Sequence, residues 1–386
     1  MSTLAVGGRS HVAVLSMALA VVMLGYGMVI PILPFYVERL GASGSSLGLL
    51  IAAYAVMQLV CVPIWGSVSD RVGRKPILLI GMVGNGLTAL LFGLANELWM
   101  LFLIRSLAGI LSSALLPTAM AYVGDSTSER GRGSGMGLLG AALGVGMVFG
   151  PILGGWLAGD ALSTPFFVTA GLSLVALVPL ALLPESLPAA ARPRAGRRPP
   201  PGLLREWARV LRGPLGAPLF MAFVTYFGMT AFYAIFGLYA LEKFACGPDR
   251  VGTILTGIGG VSAIAQGVLA GLFIRRWGEV PVIQAALLAN AVGFVLLTLA
   301  GTYRSLALAA GFLILANAVL NPAVTALASK RSTLGQGTAM GLSNASMSLG
   351  RVAGPLWAGF AFDLHANYPY LGSAVVLFAG LLVSLV

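Results

Sequence analysis

The sequence predicts an all-α membrane protein of twelve transmembrane helices arranged as two six-helix repeats, and three observations predict it. The 386 residues are 58% hydrophobic and only 9% charged, with a mean hydropathy of +0.94, whereas soluble domains carry roughly 25% charge. Long apolar segments recur at about 30-residue spacing, each close to the ~20 residues an α-helix needs to cross hydrocarbon. One glycine-proline pattern occurs twice, 204 residues apart.

Taken in order, the expected spans are 11–37, 46–68, 76–96, 98–124, 134–159 and 164–184, then 218–241, 251–274, 280–301, 303–328, 337–360 and 369–386. The first follows Arg9 but is too long for a signal-peptide core and ends in Pro34, Phe35 and Glu38, so it is expected to be retained. Between the sixth and seventh spans lies the one long polar interval, rich in Arg and Pro. It divides the chain into an N-terminal half (1–184), a flexible basic linker (185–217) and a C-terminal half (218–386). The linker's tail, with Arg205, Arg209 and Arg212, has the pattern of a short amphipathic helix on the inner leaflet.

The 23 Lys and Arg set the orientation. Seventeen fall on the linker side: Arg9, Arg71, Arg74, Lys75, Arg130, Arg132, seven in the linker, Arg275, Arg276, Lys330 and Arg331. Four fall opposite (Arg39, Lys243, Arg250, Arg304) and two within spans (Arg105, Arg351). The positive-inside rule therefore places both termini in the cytoplasm of a cell-membrane protein. The net charge of +11 meets anionic lipid headgroups and needs no nucleic-acid partner. Cys61 and Cys246 read as isolated thiols, and nothing in the sequence calls for a metal or other cofactor.

The repeat is specific. Gly137, Gly146, Gly150, Pro151, Gly154 and Gly155 are matched by Gly341, Gly350, Gly354, Pro355, Ala358 and Gly359. At an offset of 205, Gly66, Arg71 and Gly73 are matched by Gly271, Arg276 and Gly278, and Pro117 by Pro322. An even number of spans per half gives both copies the same orientation, a parallel repeat.

Three motifs carry mechanism. The loop after the second span reads Gly66, Ser, Val, Ser, Asp70, Arg71, Val, Gly73, Arg74, Lys75. Gly66 permits close backbone approach, Asp70 offers a carboxylate, and the cations suit a helix end or headgroups. In the fourth span, Arg105 is followed by Gly109. An Arg facing lipid costs several kcal/mol, so Arg105 either points into the bundle or snorkels to the outer rim, about 10 Å from the span start at ~1.5 Å per residue. The fifth-span cassette strips side chains from one helix face, and Pro151 removes a backbone donor, so neighbouring helices can touch and rock there.

These segments resemble motifs A, B and C of the major facilitator superfamily. The first span, Gly25-Tyr26-Gly27 through Pro31 and Pro34, resembles its twelve-span drug:proton antiporter family, of the tetracycline and multidrug exporter type. The resemblance covers nearly the whole chain. It implies a secondary transporter rather than an enzyme, with motif A gating through Gly66, Asp70, Arg71, Gly73, Arg74 and Lys75, and motif B coupling through Arg105 and Gly109. Motif C is associated with exporters and generally absent from uptake symporters. The sequence departs from the tetracycline group, which carries acids in the first and third spans, where this chain has Val22 and Asn85.

No acid lies at mid-span; all twelve are at span ends or in loops. If protons are the coupling ion, the candidate carboxylates are Glu38, Asp70 and Asp125, although a solvated loop charge is the first reading of each. Arg105 and Arg351 break the repeat, since their counterparts are Ala310 and Met147. Together they make the pathway electropositive, which suits an anionic, zwitterionic or neutral small-molecule cargo. Candidate cargo contacts are Tyr26, Tyr54, Gln58, Arg105, Tyr226, Phe227, Tyr233, Phe236, Gln266, Asn317, Asn321, Asn344 and Arg351. The expectation is export of small amphipathic molecules by proton antiport, with alternating access between halves and one chain sufficing for a pathway; the alternative is an uptake symporter or uniporter. The only histidines, His11 and His365, lie near span ends, and no phosphate-binding G-x4-G-K-S/T loop is present, so catalysis and ATP hydrolysis have no basis.

Overall fold

A computed structural model describes residues 3–159, 161–188, 192, 213–331 and 336–385, so most of the linker, with Arg205, Arg209 and Arg212, lies outside the described residues. Every regular element among the described residues is helical. Ten helical segments are long and apolar enough to cross a membrane: Ser10–Arg39, Gly44–Val72, Arg74–Leu94, Leu98–Ser126, Gly131–Leu157, Thr164–Ala181, Gly216–Phe244, Pro248–Trp277, Glu279–Leu299 and Tyr303–Lys330. The helices Gln336–Leu364 and Tyr368–Ser384 occupy the positions of the eleventh and twelfth expected spans.

Two spans are interrupted. The fourth breaks into Leu98–Ser112 and Leu115–Ser126, where Pro117 has no N–H and its ring would clash with the carbonyl four residues back, at Ser113. Ser112 and Ser113 aid the break by donating their hydroxyls to the Ala108 and Ile110 carbonyls. Pro322, the matched proline of the second copy, has alanine at 318 and sits inside the unbroken helix Tyr303–Lys330. The eighth span contains a π turn at Ala265–Leu269, an insertion that bends a helix and shifts its face.

The chain forms two compact units, neither continuous in sequence. Unit 1 comprises Met1–Leu40, Ala53–Arg197 and Pro248–Thr256. Its first and fifth spans touch backbone to backbone. A Cβ at Gly150 would lie 2.7 Å from the Cα of Gly27, one at Gly154 2.7 Å from the Cα of Met28, and one at Gly146 2.5 Å from the Cβ of Met23. Lipid tails are as apolar as these side chains, so van der Waals contact at such close range, rather than hydrophobic transfer, joins the helices. Pro151 and Gly155 extend the surface, leaving no room for a side chain at Gly252. Gly137 meets nothing within 4 Å, and neither does Gly66. A side chain at Gly137 or Gly66 would therefore have room in this structure, and the close contacts of the cassette are made by Gly146, Gly150, Gly154 and Gly155. The linker-side core of unit 1 gathers Leu15, Leu19, Met82, Tyr122, Leu139 and Leu180.

Unit 2 comprises Gly41–Ala52, Arg198–Gly247 and Gly257–Val386. Here the seventh and eleventh spans repeat the contact: a Cβ at Gly350 would lie 2.6 Å from the Phe223 carbonyl, and Gly354 is closed off by Phe227 and Thr230. Gly48 seats against the Pro355 carbonyl and Gly359, the match of Gly252 against Pro151 and Gly155. Beside it the Asp363 carboxylate accepts from the backbone N–H of Gly44 at 2.7 Å and Ser45 at 2.9 Å, satisfying orphan donors at the start of the second span with a favourable charge. Tyr239 joins three spans, donating to the Leu297 carbonyl at 2.9 Å and packing edge-on to Tyr370 at 4.8 Å.

Candidate functional site

Each unit holds one arginine seated on a tyrosine ring, and a glycine makes each seat possible. In unit 1 a Cβ at Gly109 would lie 2.7 Å from the Tyr54 carbonyl and 2.8 Å from Met57, so the fourth span rides close on the second. One turn earlier on the same helix face, Arg105 is 6% exposed, and its guanidinium carbon lies 4.6 Å from the centroid of the Tyr54 ring. The Tyr26 ring is 6.0 Å from Tyr54, and the Tyr54 hydroxyl lies 3.4 Å from that of Ser112. Gln58, a turn beyond Tyr54, is half-buried.

The energetics of this seat are incomplete. A desolvated cation-π contact supplies about 2 kcal/mol, while burying a cation without a counter-ion costs several. The Arg105 Nε has no hydrogen-bond partner, and none of the ion pairs among the described residues includes Arg105. An acceptor brought by a ligand would complete it. The buried position selects the bundle-facing alternative for Arg105 over snorkelling.

In unit 2, Arg351 follows Gly350, whose missing side chain lets the eleventh span approach Tyr226. The Arg351 guanidinium carbon lies 4.8 Å from the Tyr226 ring, and Asn321 donates to the Tyr226 hydroxyl at 3.2 Å. Asn317 lies one turn before Asn321 and is half-buried. The other expected cargo contacts divide. Tyr233 is half-buried beside Phe232, and Asn344 is exposed. Gln266 is exposed in the π turn and donates to Ser262. Phe236, at 1% exposure, and Phe227, at 7%, are core side chains. Phe236 packs on Phe232, one turn earlier on its own helix, at 4.7 Å, so its expected role as a wall open to cargo is corrected: the ring is already covered by protein.

The motif A loop is an ion network within unit 1. Arg74 pairs with Asp70 at 2.7 Å and Asp125 at 3.1 Å, its side chain 10% exposed, and also donates to the Ser69 hydroxyl. Glu185, from the segment closing the sixth span, accepts from the backbone N–H of Arg74 at 2.8 Å and Lys75 at 3.2 Å. It thereby caps the third span, where Gly73 turns the chain at φ 116, a conformation that favours glycine. Arg71 is exposed. Spacing singled out Asp70 and Arg74 but missed Glu185, whose partners lie 111 and 110 residues away; the acid at the close of the sixth span was its only signal. Of the proton-coupling candidates, Glu38 is exposed, while Asp70 and Asp125 are held by Arg74 with side chains 49% and 29% exposed. None sits in a dry pocket. Among the described residues no cluster of three metal-ligating side chains occurs.

Comparison with known proteins agrees with this geometry. The profile of the Major Facilitator Superfamily matches residues 15–241 and 218–386. The chain is 31% identical over 368 residues to multidrug resistance protein 2 of Bacillus subtilis, covering 95% of this chain and 92% of that protein. It is 28% identical over 380 residues to the quinolone resistance protein NorA of Staphylococcus aureus, covering 98% and 96%. Among solved structures, the nucleoside transporter NupG superposes with a TM-score of 0.81 at 15% identity, covering 97% and 99%. The human organic anion transporter MFSD10 superposes at 0.69 with 23% identity, covering 98% and 99%. Twelve helices in two glycine-stapled copies, each carrying a buried or half-buried arginine on a tyrosine, thus belong to a membrane transporter rather than an enzyme: the chain is a member of the Major Facilitator Superfamily.

Proposed function

We propose that this chain exports small amphipathic molecules across the cell membrane, coupled to inward proton movement, with both termini in the cytoplasm and a single chain as the working unit. The observation that carries the reading is near full-length likeness at 31% identity to a protein named for multidrug resistance, joined to a complete motif C cassette at Gly137, Gly146, Gly150, Pro151, Gly154 and Gly155. The glycine contacts on both faces of the fifth span support a packing surface that can slide with little resistance, as alternating access requires.

Arg105 supports a cargo bearing an acceptor or an anionic group, such as the carboxylate that quinolone antibiotics carry; the tyrosines beside it supply an apolar, polarizable wall. Binding such a group repays the uncompensated burial of Arg105, so the cation that is costly in the empty protein becomes a source of affinity. Asp125, tied to Arg74 at the linker-side end of the fourth span, is the carboxylate we assign to proton coupling, because its partner is a residue of the motif A loop.

Accumulation of a fluorescent quinolone in cells tests this reading. Cells expressing the chain hold less drug than cells expressing Arg105→Ala at matched protein levels. Greater accumulation with the wild-type chain than without it identifies an uptake carrier instead and overturns export.

A further inference from the structure

Three polar side chains of unit 2 meet where the first copy of the repeat is apolar. A Cβ at Gly350 would lie 3.1 Å from that of Tyr226, just as one at Gly146 would lie 2.5 Å from that of Met23. Tyr226 thus stands at the place of Met23. At the offsets of the repeat, Arg351 stands at the place of Met147 and Asn321 at that of Leu116. In unit 1, Met23 and Leu116 pack against the linker-side core. Apolar side chains serve the fold at this place, so packing alone gives no reason for a tyrosine, an asparagine and an arginine in the second copy.

Arg351 is the costly member. It lies about 20 Å from both ends of the helix Gln336–Leu364 at ~1.5 Å per residue, a depth at which a cation needs a partner or a water-filled pathway. Its guanidinium carbon sits 4.8 Å from the centre of the Tyr226 ring, a contact that attracts the charge and leaves the N–H fork to offer elsewhere. Among the described residues no carboxylate pairs with it, and the side chain is half-buried rather than closed in. Asn321 donates its amide to the Tyr226 hydroxyl at 3.2 Å, which leaves the proton of that hydroxyl for another acceptor. The place therefore presents donors with nothing yet to receive them.

We propose that Arg351 and Tyr226, with Asn321 orienting the tyrosine, form a subsite in unit 2 for a carboxylate carried by the cargo. That the occupant is cargo rests on the export reading; that it is an anion rests on the residues of unit 2 alone. A planar carboxylate accepts two parallel N–H bonds from a guanidinium, and its single charge matches the single cation at this place. A phosphate carrying two charges would leave one of them unmatched. A cationic group meets Arg351 and is repelled.

Equilibrium dialysis of nalidixic acid, a carboxylate, and of its uncharged methyl ester against the purified full chain tests the subsite without measuring transport. Arg351→Gln weakens binding of the acid about tenfold and leaves the ester within about twofold. Arg351→Lys keeps the charge, loses the fork and weakens the acid about threefold. Tyr226→Phe removes only the hydroxyl and weakens the acid about threefold while sparing the ester. If Arg351→Gln does not purify folded, the other two variants decide on the same ratio of acid to ester. A parallel loss of acid and ester in these variants makes Arg351 a packing residue and overturns the subsite. So does acid binding that survives Arg351→Gln unchanged, or a wild-type chain that binds neither compound. Selective loss of the acid, in a chain that exports no quinolone from cells, overturns the export reading and leaves the subsite standing.

Discussion

The two linker-side loops of the repeat keep the same ion pair with the charges exchanged. In unit 1 Arg74 pairs with Asp125 at 3.1 Å; 205 residues on, in unit 2, Glu279 pairs with Lys330 at 2.5 Å. What duplication preserved is the position of a strut between one span's start and another's end, not its sign. The surroundings differ more than the pair. Arg74 is 10% exposed and holds Asp70 as well, whereas Lys330 is 67% exposed and the residue matching Asp70 is Arg275. The first copy centres on a buried cation with half-exposed acids and the second on an exposed Lys330 with a Glu279 that is 16% exposed, so the difference lies in the cation: losing the partners of Arg74 costs less than the ~3–5 kcal/mol of a fully buried pair but more than the ~0.2–1 kcal/mol of an exposed one.

The difference between the copies can be broken from several directions. The largest effect is expected inside the cassette. Gly150→Val forces a side chain against Gly27 and abolishes transport together with heat resistance of the purified protein, overpacking of this kind costing about 1–3 kcal/mol or more. Gly137→Val, in open space, leaves both near wild type. Next comes Arg105→Ala, which on the proposed reading of Arg105 as a cargo contact lowers transport about 100-fold at unchanged expression. Retained activity would move Arg105 to a packing role.

The loop comparison itself is sharpened by transplanting charges. Arg74→Glu alone destabilises the protein, as read by thermal unfolding monitored by size-exclusion. Adding Asp125→Lys recovers part of the loss, and adding Asp70→Arg, the residue of the second copy, recovers more; no recovery would mean that the two struts are not equivalent. Asp363→Asn, which keeps an acceptor but loses the charge at the second span's start, lowers stability by about 0.3–1 kcal/mol. Lys330→Ala has the smallest effect, within about 1 kcal/mol.

Much of the fold was legible because hydrocarbon imposes length and apolarity on each span, and because a repeat doubles every motif. Arg105 and Arg351 were legible for the same reason in reverse: a charge inside a span needs an account, and each lacks a matching charge in the other copy. What escaped depended on contacts made across the chain. Pro117 breaks its span and Pro322 does not, a difference that goes with Ser112 and Ser113, whose hydroxyls bind the Ala108 and Ile110 carbonyls. Glu185 reaches back to cap the third span, and Asp363 caps the second from 319 residues away. Gly66 and Gly137 fit their motifs, yet a Cβ at either would meet nothing within 4 Å, since spacing fixes a helix face but not whether a neighbour lies against it.

The measurement that bears most directly on the central claim is cargo movement in proteoliposomes containing the purified chain, with and without an imposed pH gradient. A proton-coupled exporter drives a quinolone against its own gradient when the opposite compartment is acidified, and moves protons only when drug is present. Cargo crossing at the same rate whether or not the gradient is imposed would contradict antiport.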